Sequence, residues 1–245
     1  MQNILITLCA RGGSKGIPGK NIKKINGQHL IAYSINHASK FKNWLEKKKG
    51  ISVDIELSTD SSEIKDVCKL YNLESNYSRS AHLANDTAGK QDVIKDVLLH
   101  SERARNVHYD LIIDLDVSAP MRTIEDLTEA FIYFESKPSI DVIFSVSEAK
   151  KNPYFNMVEL NSDSTCRISK KPEQPVLSRQ TAPEVFEMNA SFYFYRRKFY
   201  DKEKMYLFEN ATIYSLKHDS FDLDHNVDFD FLEYLIEQDK LSFTI

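Results

Sequence analysis

The chain has 245 residues, of which 42% are hydrophobic and 28% charged, and its formal net charge at pH 7 is −4. This composition supports a full apolar core, and the scattered basic residues argue against nucleic acid as a partner. No apolar run approaches the ~20 residues of a membrane span, which argues against a membrane partner. The three cysteines and seven histidines show no metal-ligand spacing, which argues against a zinc site. We therefore expect one domain over residues 1–245 in the reducing cytoplasm.

Apolar periodicity predicts alternating strands and helices. The predicted elements, in chain order, are a strand at 3–10, a helix at 29–41, a strand at 51–57, a helix at 61–70, a helix at 91–103, a strand at 111–116, a helix after Thr123, a strand at 140–146, a strand at 190–195 and a helix at 227–238. Asp60 or Ser61 is expected to cap the second helix, and Thr123 to form a capping box with Asp126. Strands and helices alternate at spacings of about 25–40 residues. This alternation predicts parallel βαβ units in a three-layer αβα sandwich with a mostly parallel, Rossmann-like sheet.

The alternation breaks at residues 150–183. Prolines stand at positions 153, 172, 175 and 183, and no periodicity is evident. The segment is either an excursion that packs on another surface or a loop without fixed structure.

A glycine-rich, cationic loop at residues 10–21 follows the first strand. It contains four of the seven glycines, together with Arg11, Lys15 and Lys20. Glycines allow successive amides to point at one anion, and the cations supply charge for a polyphosphate. The spacing fits neither a Walker A loop, because Ser14 and Asn21 stand at its required Gly and Ser/Thr positions, nor a GxGxxG loop. The loop is therefore predicted to bind a polyphosphate, and a solvated basic turn is the alternative.

This loop and four further motifs resemble those of the acylneuraminate cytidylyltransferases, the CMP-sialic acid synthetases. Residues 58–60 resemble the end of that family's second strand, 79–88 its cytosine and ribose loop, 116–122 its central strand-end motif and 222–224 its metal-binding pair. Residues 114–120 and 152–156 look most like members that act on bacterial sialic-acid relatives such as legionaminic acid. The resemblance implies a nucleotidyltransferase-type sheet and transfer of CMP from CTP to the anomeric 2-hydroxyl of a nine-carbon 2-keto sugar acid, with Mg²⁺ as cofactor and release of pyrophosphate.

The resemblance also assigns roles to individual residues. CTP binding is assigned to Arg11, Ser14, Lys15, Lys20, Asn21, Arg79, Ala84, Asn85 and Lys90. Binding of the sugar acid is assigned to Asp116, Arg179, Gln180, Asn189 and Tyr193. Arg11, Lys20 and Asp224 are the expected catalytic residues, and segment 150–183 is the expected dimerisation segment of a homodimer, with a mobile active-site lid as the alternative. From the residues alone, Arg79 reads as an ordinary surface arginine.

Asp222 and Asp224 are the candidate Mg²⁺ ligands. Both project from the same face of an extended segment, and hard carboxylate oxygens suit magnesium. The alternative is that Asp224 or Asp228 caps the final helix. Asp116 is a further ligand-facing acid at the end of a strand, and Asp114 a weaker candidate.

Two departures from sialic-acid-specific members bear on the substrate. Asp116 stands where those members tend to carry Gln, and Phe155 and Asn156 stand where some have a lysine. The loss of a cation implies that part of the pocket binds a less polar substituent of the sugar, as a 6-deoxy sugar with extra acylamino groups would supply. Alternatives that stay open are a cytidylyltransferase of the same fold acting on pseudaminic acid or Kdo, a non-catalytic nucleotide-binding regulator, and a transferase that uses a finished nucleotide sugar.

Overall fold

The computed structural model describes residues 2–14, 16–172, 174, 176–202, 205 and 208–245, with Arg179 described by its backbone only. Within those residues the strands are β1 (Asn3–Cys9), β2 (Lys24–Ile25), β3 (Gln28–His29), β4 (Ser52–Ser58), β5 (Leu111–Leu115), β6 (Val142–Glu148), β7 (Val158–Leu160), β8 (Cys166–Ile168), β9 (Phe186–Arg196) and β10 (Ala211–Ser215). The α-helices are α1 (Leu30–Lys49), α2 (Ser62–Lys69), α3 (Lys90–Arg105), α4 (Ile124–Glu135) and α5 (Asn226–Glu237).

Six strands form the central sheet, in the order β10-β6-β9-β5-β1-β4. β4 and β5 both pair in parallel with β1, and β10 pairs in parallel with β6. β9 lies between β5 and β6 and runs antiparallel to both. The predicted mixed α/β fold with a mostly parallel sheet is therefore confirmed, with one reversed strand at its centre.

Both faces of the sheet are covered, which explains the continuous apolar runs in its strands. Along β1, Ile4 and Ile6 pack into a cluster with α1 and α4, whereas Leu5 packs into a second cluster with α3. The same alternation continues on β9, where Phe194 belongs to the first cluster and Tyr195 to the second. Because successive side chains of a strand point to opposite faces of the sheet, each of these strands contributes to the core on both faces.

The helix boundaries follow from capping and from the extent of the apolar stripe. Ser61 caps α2, since its Oγ accepts a hydrogen bond from Ile64 N at 3.3 Å. Thr123 and Asp126 form the expected capping box at the start of α4. The predicted end of α1 at residue 41 was too early: Leu45 is fully buried, so the helix continues until Gly50 ends it with a φ of 64°.

Segment 150–183 contains the β7–β8 hairpin, which is separate from the central sheet. All the residues of both strands are exposed. In the described part of the chain, no helix combines the length and the apolar character needed to cross a membrane.

Candidate active site

A cleft of about 440 Å³ opens at the carboxyl ends of β1, β4 and β5. Ligands of open α/β sheets bind at this edge, where the connections diverge from neighbouring strands. The predicted site residues that line the cleft are Arg11, Ser14, Lys20, Asn21, Arg79, Asn85, Lys90, Asp116 and Asp224. Residues of motifs that lie far apart in the sequence therefore meet in one cleft.

The glycine-rich loop turns tightly at the mouth of β1. Gly12 N donates to Asp60 Oδ1 at 2.8 Å, and a Cβ on Gly12 would lie 3.0 Å from Ser61 Cβ, so a side chain would force the loop away from the start of α2. Gly19 has a φ of 65°, which disfavours any other residue there. Asn21 is buried, and its Nδ2 donates to Arg11 O at 2.9 Å. Asn21 thus holds the backbone of the loop in place through this hydrogen bond.

Two cations of the loop face carboxylates across the cleft. Arg11 Nη1 lies 2.8 Å from Asp86 Oδ1, and Lys20 Nζ lies 3.2 Å from Asp224 Oδ1. Ser14 lines the cleft beside them, and Lys15 lies outside the described residues. These ion pairs are partly exposed, so an incoming polyphosphate can compete for the cations at modest cost.

The opposite wall carries the residues predicted for the nucleoside. Arg79 is nearly buried and clamps the end of β4, with Nε donating to Ser58 Oγ at 3.0 Å and Nη2 donating to Ser58 O at 2.7 Å. Asn85 organises its own turn, because its Oδ1 accepts from Thr87 N at 2.9 Å and from Ala88 N at 2.8 Å. Arg79 and Asn85 line the cleft, whereas the neighbouring Ala84 does not.

Lys90 links two acids at the end of β5. Asp114 is fully buried and accepts from Thr7 Oγ1 at 2.7 Å, which follows from the β1–β5 register that pairs the two residues. Lys90 Nζ lies 2.8 Å from Asp114 Oδ2 and 2.6 Å from Asp116 Oδ2. Asp116 Oδ1 accepts two further bonds, from Ser118 N at 2.8 Å and Ser118 Oγ at 2.7 Å.

These contacts fix the charges of the group. Burial raises the pKa of Asp116, but Lys90 and the Ser118 hydrogen bonds outweigh burial and lower it to about 2. Burial lowers the pKa of Lys90, but Asp114 and Asp116 raise it well above its usual value. Asp116 is therefore a carboxylate and Lys90 an ammonium throughout the neutral range.

The pKa of Asp222 is shifted in the opposite direction to that of Asp116. The Oδ1 atom of Asp222 is buried and has no hydrogen-bond partner among the residues that the structure describes. Burial, followed by the nearby charges of Asp116 and Asp224, raises the pKa of Asp222 to about 7, against the opposing effect of Lys90 and Lys20. The Asp222 carboxyl thus lies near two other acidic side chains, and its Oδ1 has no hydrogen-bond partner among the described residues.

The helix-capping alternative for Asp224 does not hold. His225 is the N-cap of α5, and Asp228 Oδ2 accepts from Asp224 N at 2.9 Å and from His225 N at 2.7 Å. The Asp224 carboxylate is left to face Lys20. No group of three or more His, Cys, Asp or Glu side chains is placed to hold a metal within the described ranges.

A family model described as Cytidylyltransferase matches residues 5–243 of the chain. The chain belongs to the cytidylyltransferase family. The predicted membership is therefore confirmed.

Two relatives of this cytidylyltransferase match it over nearly its whole length. Post-translational flagellin modification protein B of Campylobacter coli is 38% identical over 242 residues, which are 98% of each chain. CMP-N,N'-diacetyllegionaminic acid synthase of Campylobacter jejuni subsp. jejuni serotype O:2 is 38% identical over 243 residues, 99% of this chain and 98% of that one.

A solved structure supports the fold of the cytidylyltransferase. CMP:2-keto-3-deoxy-manno-octonic acid synthetase complexed with CTP superposes with a TM-score of 0.66 and 17% identity, covering 97% of this chain and 100% of that one.

The residues predicted for the sugar acid are spread over a wider area of the cytidylyltransferase. Tyr193 lies beside the cleft, with Lys90 Nζ 5.1 Å from its ring centroid. Asn189 is turned into the sheet, where its Oδ1 accepts from Ser145 Oγ at 2.7 Å and its Nδ2 donates to Ser147 Oγ at 2.9 Å. Gln180 lines a separate cavity of about 480 Å³. The side chain of Arg179 lies outside the described part of the structure.

Several side chains that line the site were not among the predicted site residues. Cys9, Ile17, Leu83, Val93 and Ser118 also line the cleft. Cys9 could have been predicted to line the cleft, because it stands at the carboxyl end of the first predicted strand. Burial and the nearby Asp114 charge raise the pKa of the Cys9 thiol, so the thiol stays protonated and is no nucleophile.

Arg122 has a structural role. It is fully buried, and its guanidinium donates to Ser191 Oγ at 3.0 Å, to Ala119 O at 2.6 Å and to Asp116 O. It anchors the loop that follows β5 and thereby holds the backbone of Asp116 in place.

Proposed function

We propose that the chain transfers CMP from CTP to the anomeric 2-hydroxyl of N,N′-diacetyllegionaminic acid or a closely related nine-carbon 2-keto sugar acid, and releases pyrophosphate. The observation that carries this proposal is the cleft in which the cationic glycine-rich loop meets the carboxylates of Asp86, Asp116 and Asp224. The chain that builds this cleft is 38% identical, over 99% of its length, to a protein named CMP-N,N'-diacetyllegionaminic acid synthase.

The loop is proposed to hold the CTP phosphates. Arg11 and Lys20 face the cleft and each pairs with a carboxylate that is itself partly exposed. A triphosphate carries more charge than either carboxylate, so it is expected to displace Asp86 and Asp224 as the partner of these cations. Ser14 and Lys15 belong to the same loop and complete the proposed phosphate site.

Magnesium is the proposed cofactor, and the chemistry of the site fits it. Asp222 offers a buried oxygen that lacks a partner in the described residues, and Asp116 and Asp224 crowd negative charge around it. A divalent cation relieves that repulsion and takes carboxylate oxygens as ligands. Asp222 and Asp224 would hold the ion, which would supply charge neutralisation for the phosphates and a lower pKa for a bound hydroxyl.

The proposed reaction is a single in-line displacement. The sugar 2-hydroxyl oxygen forms a bond to the α-phosphorus of CTP while the bond from that phosphorus to the bridging oxygen breaks. Pyrophosphate leaves with the electron pair, and the hydroxyl proton passes to solvent. Arg11 and Lys20 stabilise the charge that develops on the departing pyrophosphate. The protonated Cys9 thiol is consistent with a route without a covalent enzyme intermediate.

A homodimer in the cytoplasm is also proposed. The β7–β8 hairpin carries exposed apolar side chains at Val158, Leu160 and Ile168, and exposed apolar clusters of this kind favour packing on a partner surface. Cys9, Cys68 and Cys166 are free thiols, which suits a reducing compartment. Light scattering of wild type and a Leu160→Asp variant tests the dimer: the wild type should run as a dimer and the variant as a monomer.

Pyrophosphate release tests the proposed function. CTP and Mg²⁺ are incubated with N,N′-diacetyllegionaminic acid, N-acetylneuraminic acid, pseudaminic acid or Kdo in parallel reactions. Release with the first sugar, at a kcat/KM at least tenfold above the others, supports the proposal. If the enzyme prefers pseudaminic acid or Kdo, that sugar becomes the proposed substrate. If no sugar gives pyrophosphate although CTP binds, the result favours a non-catalytic nucleotide-binding regulator.

A further inference from the structure

The two candidate Mg²⁺ ligands lie on residues 216–225, which join β10 to α5 without regular secondary structure. Leu216 and Leu223 are buried in the core near the two ends of this segment. Their backbone amides donate at 2.9 Å to Val146 O and to Ser118 O, respectively. These contacts fix the ends of the stretch, and a third contact lies between them.

His218 supplies the third contact through a side chain that is only 8% exposed. Its Nε2 lies 2.8 Å from Asp126 Oδ2, and its Nδ1 lies 3.0 Å from the backbone oxygen of Asp219. The imidazole packs against the ring of Phe243, with 3.8 Å between the ring centroids. His218 therefore joins its own segment to α4 and to the C-terminal residues.

Both partners of the His218 ring nitrogens are hydrogen-bond acceptors. Asp126 Oδ2 already accepts from Thr123 N at 2.8 Å and from Thr123 Oγ1 at 2.7 Å, as an ionised carboxylate does. A neutral imidazole carries one N–H, whereas an imidazolium carries two. A neutral ring would direct a lone pair at an oxygen only about 3 Å away, so the arrangement suits the imidazolium.

Charged groups lie around the ring on α4, β6, β9 and its own segment. Beside His218 is a cavity of about 500 Å³, whose other charged lining residues are Glu148, Lys150, Glu187, Lys217 and Asp219. Lys217 Nζ lies 2.8 Å from Glu129 Oε2 on α4, so an acid offsets its charge. Burial lowers the pKa of His218, but Asp126 and Asp219 outweigh burial and raise it above its usual value. The surroundings thus favour the imidazolium that the hydrogen bonds require.

The partner of His218 belongs to the structure that positions a third acid of the cleft. Asp126 forms the capping box of α4 with Thr123, and this capping box ends the loop 116–122 that begins at Asp116. The contact between His218 and Asp126 therefore connects the segment of the candidate metal ligands with the loop that carries Asp116. A backbone hydrogen bond joins the same two pieces of chain nearer the cleft.

We propose that His218 is a positioning residue, which as an imidazolium ties residues 216–225 to the capping box of α4 and so holds Asp222 and Asp224 in place for Mg²⁺. This inference rests on the proposed function, because the ion is part of it. Loss of the ring proton leaves one of the two hydrogen bonds unmade and loosens the segment. Metal affinity should then fall, whereas the residues proposed to bind CTP stay where they are.

The protonation state is tested by ¹H–¹⁵N NMR of the histidine rings in the metal-free protein, with His218→Phe to assign the signal. Both ring nitrogens of His218 should carry protons at pH 7, and the titration midpoint should exceed the ordinary 6.5. Asp126→Asn should lower that midpoint, because it removes the carboxylate that favours the charged ring. A His218 ring that is neutral at pH 7 would overturn the inference.

Metal affinity is tested by titrating wild type, His218→Phe and His108→Phe with Mn²⁺ alone, followed by electron paramagnetic resonance. Phenylalanine keeps a ring against Phe243 but has no N–H, and His108, whose side chain is 68% exposed, supplies the matched control. At pH 7 the dissociation constant should rise about fivefold in His218→Phe, less than the ~10–100-fold for partners that contact a ligand directly. His108→Phe should match wild type.

The pH dependence distinguishes a positioning imidazolium from a residue that only fills space. The ratio of the dissociation constants of His218→Phe and wild type should shrink between pH 6 and pH 9, because wild type loses its ring proton over this range. The titration of Asp222 cancels in this ratio, since both proteins contain that group. At saturating Mg²⁺, kcat of His218→Phe should stay within about twofold of wild type. An unchanged affinity at pH 7, or a ratio that does not vary with pH, would overturn the inference.

His218→Gln keeps the test decisive if His218→Phe fails to fold. Glutamine can donate one hydrogen bond to Asp126 but cannot gain a proton, so this variant should bind Mn²⁺ more weakly than wild type at pH 7 and nearly equally at pH 9. Equal affinity at both pH values would overturn the inference. Failure of the proposed function is recognised separately, because it requires that the wild type release no pyrophosphate with any sugar acid.

Discussion

The substitution Asp222→Asn should stabilise the metal-free protein while abolishing its activity. In the folded chain the pKa of Asp222 rises from its ordinary 3.8 to about 7, because the group is buried and lies near Asp116 and Asp224. Between these two values the folded state holds a proton that the unfolded state has released. Stability therefore falls as the pH rises through that window, and the full penalty is present above pH 7.

The size of the effect follows from the same pKa values. At ~1.4 kcal/mol per pKa unit, a rise from 3.8 to about 7 corresponds to about 4 kcal/mol. Asp222 is only half-buried, so solvent screening reduces the penalty and we expect about 2 kcal/mol. For a chain of this length that is a gain of roughly 5 °C in Tm for the amide variant.

Thermal unfolding in EDTA at pH 5, 6, 7 and 8 measures this gain. Asp222→Asn should exceed the wild type by the full amount at pH 8 and by much less at pH 5, where the wild-type carboxyl is already protonated. Asp224→Asn is the matched comparison: it should show only part of the gain, because Asp224 is exposed and paired with Lys20 but its charge is one of those that raise the pKa of Asp222. If Asp222→Asn is no more stable than wild type at pH 8, or is stabilised equally at pH 5 and pH 8, the Asp222 carboxylate does not destabilise the folded chain.

Three further outcomes are expected. Asp224→Asn should fold normally yet lower kcat by well over tenfold in the pyrophosphate assay; near-normal turnover with unchanged Mg²⁺ dependence would remove its assignment as a ligand. Arg179→Ala should chiefly raise the KM for the sugar acid, since it removes binding shared by ground and transition states, and a fall in kcat alone would contradict this. Thr123→Ala should lose about 1 kcal/mol in urea unfolding by breaking the capping box of α4, with activity retained; an unchanged midpoint would disprove the capping contribution.

The sequence pattern was sufficient to predict those features of the fold that depend on neighbouring residues. The buried run of β1, the glycine-rich loop and the caps at Ser61 and Thr123 depend on residues within a few positions of one another. Local chemistry of this kind is visible in the sequence, and each of these features lies where it was expected.

Other features depend on contacts that no local pattern contains. The period of two identifies β9 as a strand but does not give its direction, and β9 proves antiparallel to both neighbours. β10 escaped prediction because it is a short edge strand of half-buried residues whose apolar signal is weak. The ion pairs of Lys90 depend on the register of β5 with β1 and on the start of α3, so the sequence, which predicts only that Lys90 contributes to CTP binding, did not reveal them.

The proposed transfer of CMP can be followed by ³¹P NMR in a mixture of CTP, N,N′-diacetyllegionaminic acid, Mg²⁺ and the enzyme. We expect loss of the triphosphate signals, with pyrophosphate and one new phosphodiester, the CMP-sugar, appearing in equal amounts. An unchanged CTP spectrum, from a preparation shown to bind both CTP and the sugar acid, would contradict the proposed transfer.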